Sequence, residues 1–374
     1  MLGSHSSTLI EISKSGIFRP LANFFERFGW TGVNLFFVLS GFLVGGLLLR
    51  ELKKYGTLDV KRFIVRRGLK IWPSYYVFLA WVIFQSVRAH HSLQQAIRPL
   101  IPNFLHIQNY IYVPAQEHTW SLSVEEHFYL LLPLLLWFLT RRRERSLLHH
   151  LPVAFGLIAV TSLLLRIQVL WQHPYHTGVP LTYYWTVTMP TQFSLDALMF
   201  GVFLAYLTHF RPVSLEFACA SARRRWASFL VGIALISPML VFNVSDPHYF
   251  PVLSTIGRTL LYLGYGCILL ACVNSATADG NPGRIFQTRM ARIVAGIGFY
   301  SYPIYLWHMN QGRDRALHLL FTGKLAHMGQ SQRWFVAVSL YMMFAIVFGI
   351  VFSRLLEMPA LRFRERFFPD RART

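Results

Sequence analysis

Charge is scarce in this sequence. Only 14% of its 374 residues are Asp, Glu, Lys or Arg, against about 25% in an ordinary soluble domain. The 16 acidic residues cannot furnish a solvated surface for a water-soluble chain of this length, in which 54% of residues are hydrophobic and 16% aromatic. Mean hydropathy is +0.41. The bulk of the chain therefore belongs in a bilayer. Cysteine is also rare. Cys267 and Cys272 share one apolar run five residues apart, and so face different ways on a helix; Cys219 lies elsewhere. That excludes a disulfide framework and zinc-type spacing. A Gly-rich phosphate loop, a nucleophilic serine elbow and a His-Glu-x-x-His pattern are all missing. The histidine pairs His90–His91, His149–His150 and His173–His176 fall on separate loops, so no metal site is expected. Internal repeats, low-complexity tracts and soluble appendages are missing too, which leaves one polytopic domain over 1–374.

What the sequence has in abundance is apolar runs. They fall at about 33–50, 71–88, 124–140, 151–171, 190–208, 227–243, 257–274, 295–309 and 334–353. Most are long enough to cross about 30 Å of hydrocarbon at 1.5 Å per residue. The predicted fold is an all-α transmembrane helix bundle of about nine spans. The net charge of +20 raises the question of nucleic acid, and its distribution answers it. Loops on one side of the bundle (50–70, 141–150, 209–226, 275–294 and 354–374) carry 25 Lys and Arg, and those on the other carry 8. Such asymmetry marks the basic side as cytoplasmic. The charge is a topology signal and an anionic-lipid contact, with no nucleic-acid partner expected. An integral protein of the cell (inner) membrane with a cytoplasmic C-terminus follows. On this topology "MLGSH" reads as the last turn of a first span whose body is missing, and 354–374 reads as a basic cytoplasmic tail.

Against this apolar background, a few ionisable groups stand out. "HTWSLSVEEHFYLLLPLLLWF", 118–138, places Glu125, Glu126 and His127 at the mouth of a span, where charge is expensive and marks function by default. Ser123 with Glu126 reads as a capping box, and a carboxylate there gains about 0.3–1 kcal/mol from the helix dipole. Glu125 is left unexplained. Trp120 and Tyr129 suit an interfacial belt. In "WTGVNLFFVLSGFLVGGLLLR", Gly41, Gly45 and Gly46 give small-residue spacing for close helix approach, with Asn34 and Ser40 as polar groups on the same span. "KRFIVRRGLKIWPSYY" gathers Lys61, Arg62, Arg66, Arg67 and Lys70 at a cytoplasmic entrance, followed by Tyr75 and Tyr76. The cluster suits lipid headgroups or a phosphorylated ligand, since guanidinium forks match phosphate oxygens. Arg166 and Asp196 lie within spans and each needs a counter-charge, which pairing with one another would supply. His308, in "GFYSYPIYLWHMN", reads first as an interfacial group. Glu357 and Pro359, in "SRLLEMPALRFRERF", read as a helix terminator.

These blocks together resemble acyltransferase family 3, a family of integral-membrane O-acyltransferases. "GVNLFFVLSGFLV", "RFIVRRGLKIWPSYY", "HTWSLSVEEHFYLLLPLLL", "SLDALMFGVFLA", "YSYPIYLWH" and "LEMPALRF" match its motifs in order, from about residue 30 to 362. The resemblance implies ten spans. It also implies transfer of an acyl group, commonly acetyl, from cytoplasmic acyl-CoA to a hydroxyl of an extracytoplasmic sugar or small molecule. No bound cofactor is expected; acyl-CoA is a co-substrate. The family's essential histidine matches His5, as base or transient acyl carrier. Glu125 is the first choice to orient it, with Glu126 beside it. Arg66, Arg67 and Lys70 would hold CoA phosphates, and Tyr75, Tyr76, Trp120, Ser123, Asp196 and His308 would line the acyl and acceptor sites. The chain departs from the family at Asn34, where an aspartate is common, and at Ser194, where a basic residue is. The family's arginine eleven residues before the histidine would precede Met1. The competing readings are a transporter or flippase, which predicts inverted repeats and broken helices, and a non-catalytic relic of the enzyme.

Overall fold

The computed structural model describes residues 24, 28–111, 114–140, 149–173, 188–211, 221–242, 248–273, 288–313, 318, 329–369 and 371. His5 and the expected remnant of a first span lie outside the described residues. Every described element is helical: α1 (Gly32–Tyr55), α2 (Val60–Arg88), α3 (Trp120–Thr140), α4 (Leu151–Gln172), α5 (Leu195–Phe210), α6 (Ala222–Val241), α7 (Arg258–Val273), α8 (Arg289–Phe299), α9 (Ser301–Trp307), α10 (Gln330–Phe352) and α11 (Met358–Phe367). Wide π-type turns run over Leu253–Gly257, His308–Arg313 and Ser353–Glu357.

Among the described residues, six stretches are long and apolar enough to cross a membrane: Gly32–Tyr55, Gln116–Thr140, Leu151–Gln172, Ala222–Val241, Phe250–Val273 and Gln332–Phe367. Helices also stand at the other three expected places. There α2 opens on a polar, basic turn, and α5 has 16 residues, only about 24 Å of rise. The third place is broken at Tyr300 between α8 and α9. The all-helical membrane bundle stands, while the count of nine spans is not established by these helices. Pro359 is not a terminator. The chain passes from α10 through the turn Ser353–Glu357 straight into α11, with Pro359 just past that turn; the wide turn accommodates the ring and the hydrogen bond that a proline removes from a continuous helix.

Chain contacts divide the protein into two compact units: residues 1–32, 66–104 and 289–368, and residues 33–65, 105–288 and 369–374. In the first, Trp307 is fully buried. It stacks on Phe352 at 3.9 Å and meets Phe78 edge-on at 5.2 Å, joining α9, α10 and α2. The Tyr302 hydroxyl donates to the Ile71 carbonyl at 2.9 Å.

In the second unit, α1 and α5 meet backbone to backbone. A Cβ on Gly41 would stand 1.9 Å from the Leu198 carbonyl oxygen, and one on Gly201 would stand 2.2 Å from that of Val38. The small residues of α1 are therefore packing devices, as their spacing predicts. Gly41→Leu is expected to push the helices apart and destabilise the protein by roughly 1–3 kcal/mol, the range for overpacking. A thermal melt of the purified protein in detergent checks this; a midpoint equal to that of the unmodified chain would show that the helices do not meet at Gly41.

Candidate functional site

The carboxylate pair sits in the second unit. A short helical turn, Pro114–Thr119, leads into α3, which begins at Trp120. Ser123 is therefore already inside the helix, and its buried Oγ has no hydrogen-bond partner among the described residues. The capping box expected of Ser123 and Glu126 is absent for that reason, and the local explanation for Glu126 goes with it. Glu125 and Glu126 are 3% and 7% exposed, two adjacent carboxylates about 100° apart around a buried helix start. Trp120 and Tyr129 do not face outward into a lipid belt. Both are buried; Trp120 meets Phe37 edge-on at 5.9 Å, and the Tyr129 hydroxyl bonds that of Ser40 at 2.8 Å. These contacts tie α3 to α1.

Around the start of α3 lies a collar of buried polar groups. Gln108 Nε2 donates to the Thr119 carbonyl at 3.0 Å, and Thr119 Oγ1 to that of Gln116 at 2.8 Å. Asn109 Nδ2 donates to Thr191 Oγ1 at 2.9 Å, and Thr191 also bonds His127 Nδ1 at 2.6 Å. His106 lies nearby. Burial, and then the His127 imidazole, push its pKa down to about 4, so it stays uncharged at neutral pH. Segments 106–110, 116–127 and 188–194 are thus laced together by hydrogen bonds, the arrangement that makes buried polar groups affordable and holds them in one geometry.

Arg166 and Asp196 are each 1% exposed and pair at 2.6 Å, Nη2 to Oδ2, which meets the need for counter-charges. Arg166 Nη1 also donates to the Phe193 carbonyl at 3.2 Å, and Asp196 Oδ1 accepts from the Ala197 N–H at 3.0 Å. Two buried groups went unnoticed as members of this region in the sequence. One is Arg258, which donates to the Thr188 carbonyl at 3.0 Å and acts electrostatically on Asp196. The other is His118, 1% exposed. Arg258 was detectable as a third intramembrane charge, and His118 as the first letter of the block that holds Glu125.

The basic candidates belong to the first unit. On α2, Arg66 pairs with Glu365 of α11 at 3.1 Å. Arg67 acts on Arg364, and Lys70 on Glu357. Glu357 is buried and accepts from Ser353 Oγ at 2.9 Å. Further along α2, Tyr75 is buried with its hydroxyl donating to the Asn103 carbonyl at 3.1 Å. Tyr76 is 39% exposed and stacked on Phe104 at 6.2 Å. His308 is fully buried and does not face outward: it opens the π-type turn after α9, bonds the Tyr305 carbonyl through Nδ1 and lies near the Tyr341 ring. The structure therefore groups Arg66, Arg67 and Lys70 at one end of α2, and Trp120, Ser123, Glu125 and Glu126 at the start of α3.

A family model described as an acyltransferase domain matches residues 1–357. The peptidoglycan O-acetyltransferase OatA of Listeria monocytogenes is 29% identical over 296 residues, covering 75% of this chain and 44% of that protein. The O-acetyltransferase OatA of Staphylococcus aureus is 26% identical over 297 residues, covering 75% and 45%. The matched part thus makes up less than half the length of either relative. No solved structure matches. The family match runs through both units and takes in both the buried carboxylates and the basic end of α2, and the chain belongs to acyltransferase family 3, a family of transferases.

Proposed function

We propose that the chain is a membrane O-acyltransferase that moves an acetyl group from cytoplasmic acyl-CoA to a hydroxyl of an extracytoplasmic carbohydrate. The observation that carries this reading is the burial of Glu125 and Glu126 at the start of a membrane helix with no capping role to account for them. Carboxylates in such a place are costly and are kept for function. The relatives' names, O-acetyltransferase in both cases and peptidoglycan in one, support acetyl as the group and a cell-surface glycan as the acceptor class.

In the proposed reaction the acceptor O–H is broken as its oxygen attacks the thioester carbonyl. The C–O bond forms, the C–S bond breaks, and the proton ends on the departing thiolate. An imidazole suits the proton transfer, since its ordinary pKa near 6.5 leaves it able to take and return a proton at neutral pH. His5 fills that role in this reading, directly or as a transient acyl carrier. Glu125 holds the imidazole in the working tautomer and balances the charge that develops on it. Arg66, Arg67 and Lys70 seat the donor's phosphates, as guanidinium forks and an ammonium do elsewhere. The excess of Lys and Arg in the loops on that side supports a seat at the cytoplasmic face, where acyl-CoA is found.

The test is transfer itself. Membranes holding the chain and supplied with acetyl-labelled acetyl-CoA and soluble peptidoglycan fragments should give fragments bearing alkali-labile label. Label that stays on acetyl-CoA with every glycan tried, from protein shown to be folded, would overturn the reading in favour of a non-catalytic protein.

A further inference from the structure

Arg66 is not open at its phosphate-reading edge. Its Nη2 donates to Glu365 Oε1 at 3.1 Å and its Nη1 to Oε2 at 3.5 Å, the two-pronged arrangement in which a guanidinium also meets a phosphate. Nη1 further donates to the Phe368 carbonyl. The same carboxylate accepts from Arg364, through Nε at 3.1 Å and Nη2 at 2.5 Å. Arg67 and Arg66 both act electrostatically on Arg364. One carboxylate thus bonds two guanidiniums, Arg66 and Arg364, while Arg67 acts on Arg364, all within one compact unit. Exposure shows which partner can move. The Arg66 side chain is 16% exposed and Glu365 is 47% exposed, so the carboxylate is the partner that has water to turn into.

We propose that Glu365 is an anion place-holder, which occupies the forked edge of Arg66 until a phosphate of the acyl donor displaces it. The proposal rests on the reading that Arg66 helps to seat that donor. An arginine cluster left empty repels itself, and a carboxylate of the chain's own relieves this while the donor is away. A phosphate monoester carries about 1.5–2 negative charges at neutral pH against the single one of Glu365, so the exchange favours the donor. Glu365 therefore sets donor affinity without touching the reacting atoms. A plain structural staple between α11 and α2 makes the opposite forecast, because losing it would loosen the seat.

The experiment is equilibrium binding of coenzyme A to the purified full chain in nanodiscs, with a thermal melt to show that each variant is folded. Arg66→Ala is expected to raise Kd about tenfold. Glu365→Gln is expected to lower it roughly two- to fivefold, the range for an exposed ion pair. Glu365→Ala should do the same, which covers the case in which one variant folds poorly. In the double variant the Glu365→Gln gain should vanish, since a place-holder has nothing left to block; a general change in surface charge would persist. Glu51→Gln, which removes a carboxylate 3.4 Å from Arg371 in the other unit, should leave Kd unchanged. If Arg66→Ala raises Kd but Glu365→Gln leaves it unchanged or raises it, the place-holder is overturned and the donor seat stands. If Arg66→Ala leaves Kd unchanged, the donor seat falls and the place-holder with it.

Discussion

Glu125→Gln is expected to lower acetyl transfer at least ~100-fold, because an imidazole base deprived of its orienting carboxylate loses a large part of its effect, while the protein stays folded. Glutamine keeps the size and shape of glutamate and still offers an oxygen and two N–H groups. It cannot carry charge, and so it cannot balance an imidazolium. Folding and catalysis therefore respond differently. Glu125 is 3% exposed within a membrane helix, where an amide is easier to bury than a carboxylate, so removing the charge does not by itself unfold the protein. Glu126→Gln is the informative neighbour. It lies about 100° further round α3 and, with no capping box to serve, is subject to the same measurement. Activity lost only in Glu125→Gln assigns the working carboxylate to that face. Loss in both assigns a shared site, whereas unchanged turnover in Glu125→Gln removes this residue from the mechanism.

What the sequence revealed of this molecule was what short-range rules govern. Apolar runs and the placement of Lys and Arg announced a helical membrane protein, because each residue's preference for lipid or water is set almost locally. The Arg166–Asp196 pair was legible for a different reason: an unpartnered intramembrane charge is too costly to keep, and few opposite charges were on offer. The helix start at Trp120 was not legible. Ser123 and Glu126 fit a capping box in isolation, and only the preceding turn, Pro114–Thr119, moves the start upstream. Tyr129 looked interfacial because an aromatic residue at that depth suits a headgroup belt; its bond to Ser40 spans 89 residues of sequence. Glu365 was hidden in the same way. It looked like one more charge in a basic tail, and its bond to Arg66, 299 residues away, came into view only in the fold. Contacts of that range follow from the packing of whole helices, which no local pattern records.

Asp196→Leu is expected to cost about 3–5 kcal/mol of stability, the usual penalty for breaking a buried ion pair from one side. The pair itself need not be a large net gain, since removing two charges from water opposes their attraction. The penalty arises from what is left behind. Without Asp196, the Arg166 guanidinium, 1% exposed in the native fold, keeps among the described residues the Phe193 carbonyl at 3.2 Å and Thr259 Oγ1 at 3.3 Å. It would also face Arg258, which now shares the carboxylate's field, with no negative charge between them. Arg166→Leu should be milder, because Asp196 then keeps Arg258 as an electrostatic partner. The double variant, Arg166→Leu with Asp196→Leu, should recover a large part of the loss, as apolar pairs commonly replace buried ion pairs at little penalty. Thermal inactivation of the four proteins in nanodiscs gives the cycle directly. A coupling energy near zero would mean that the two side chains do not pair in the membrane. A milder effect of Asp196→Leu than of Arg166→Leu would mean that Arg258 does not act on Asp196.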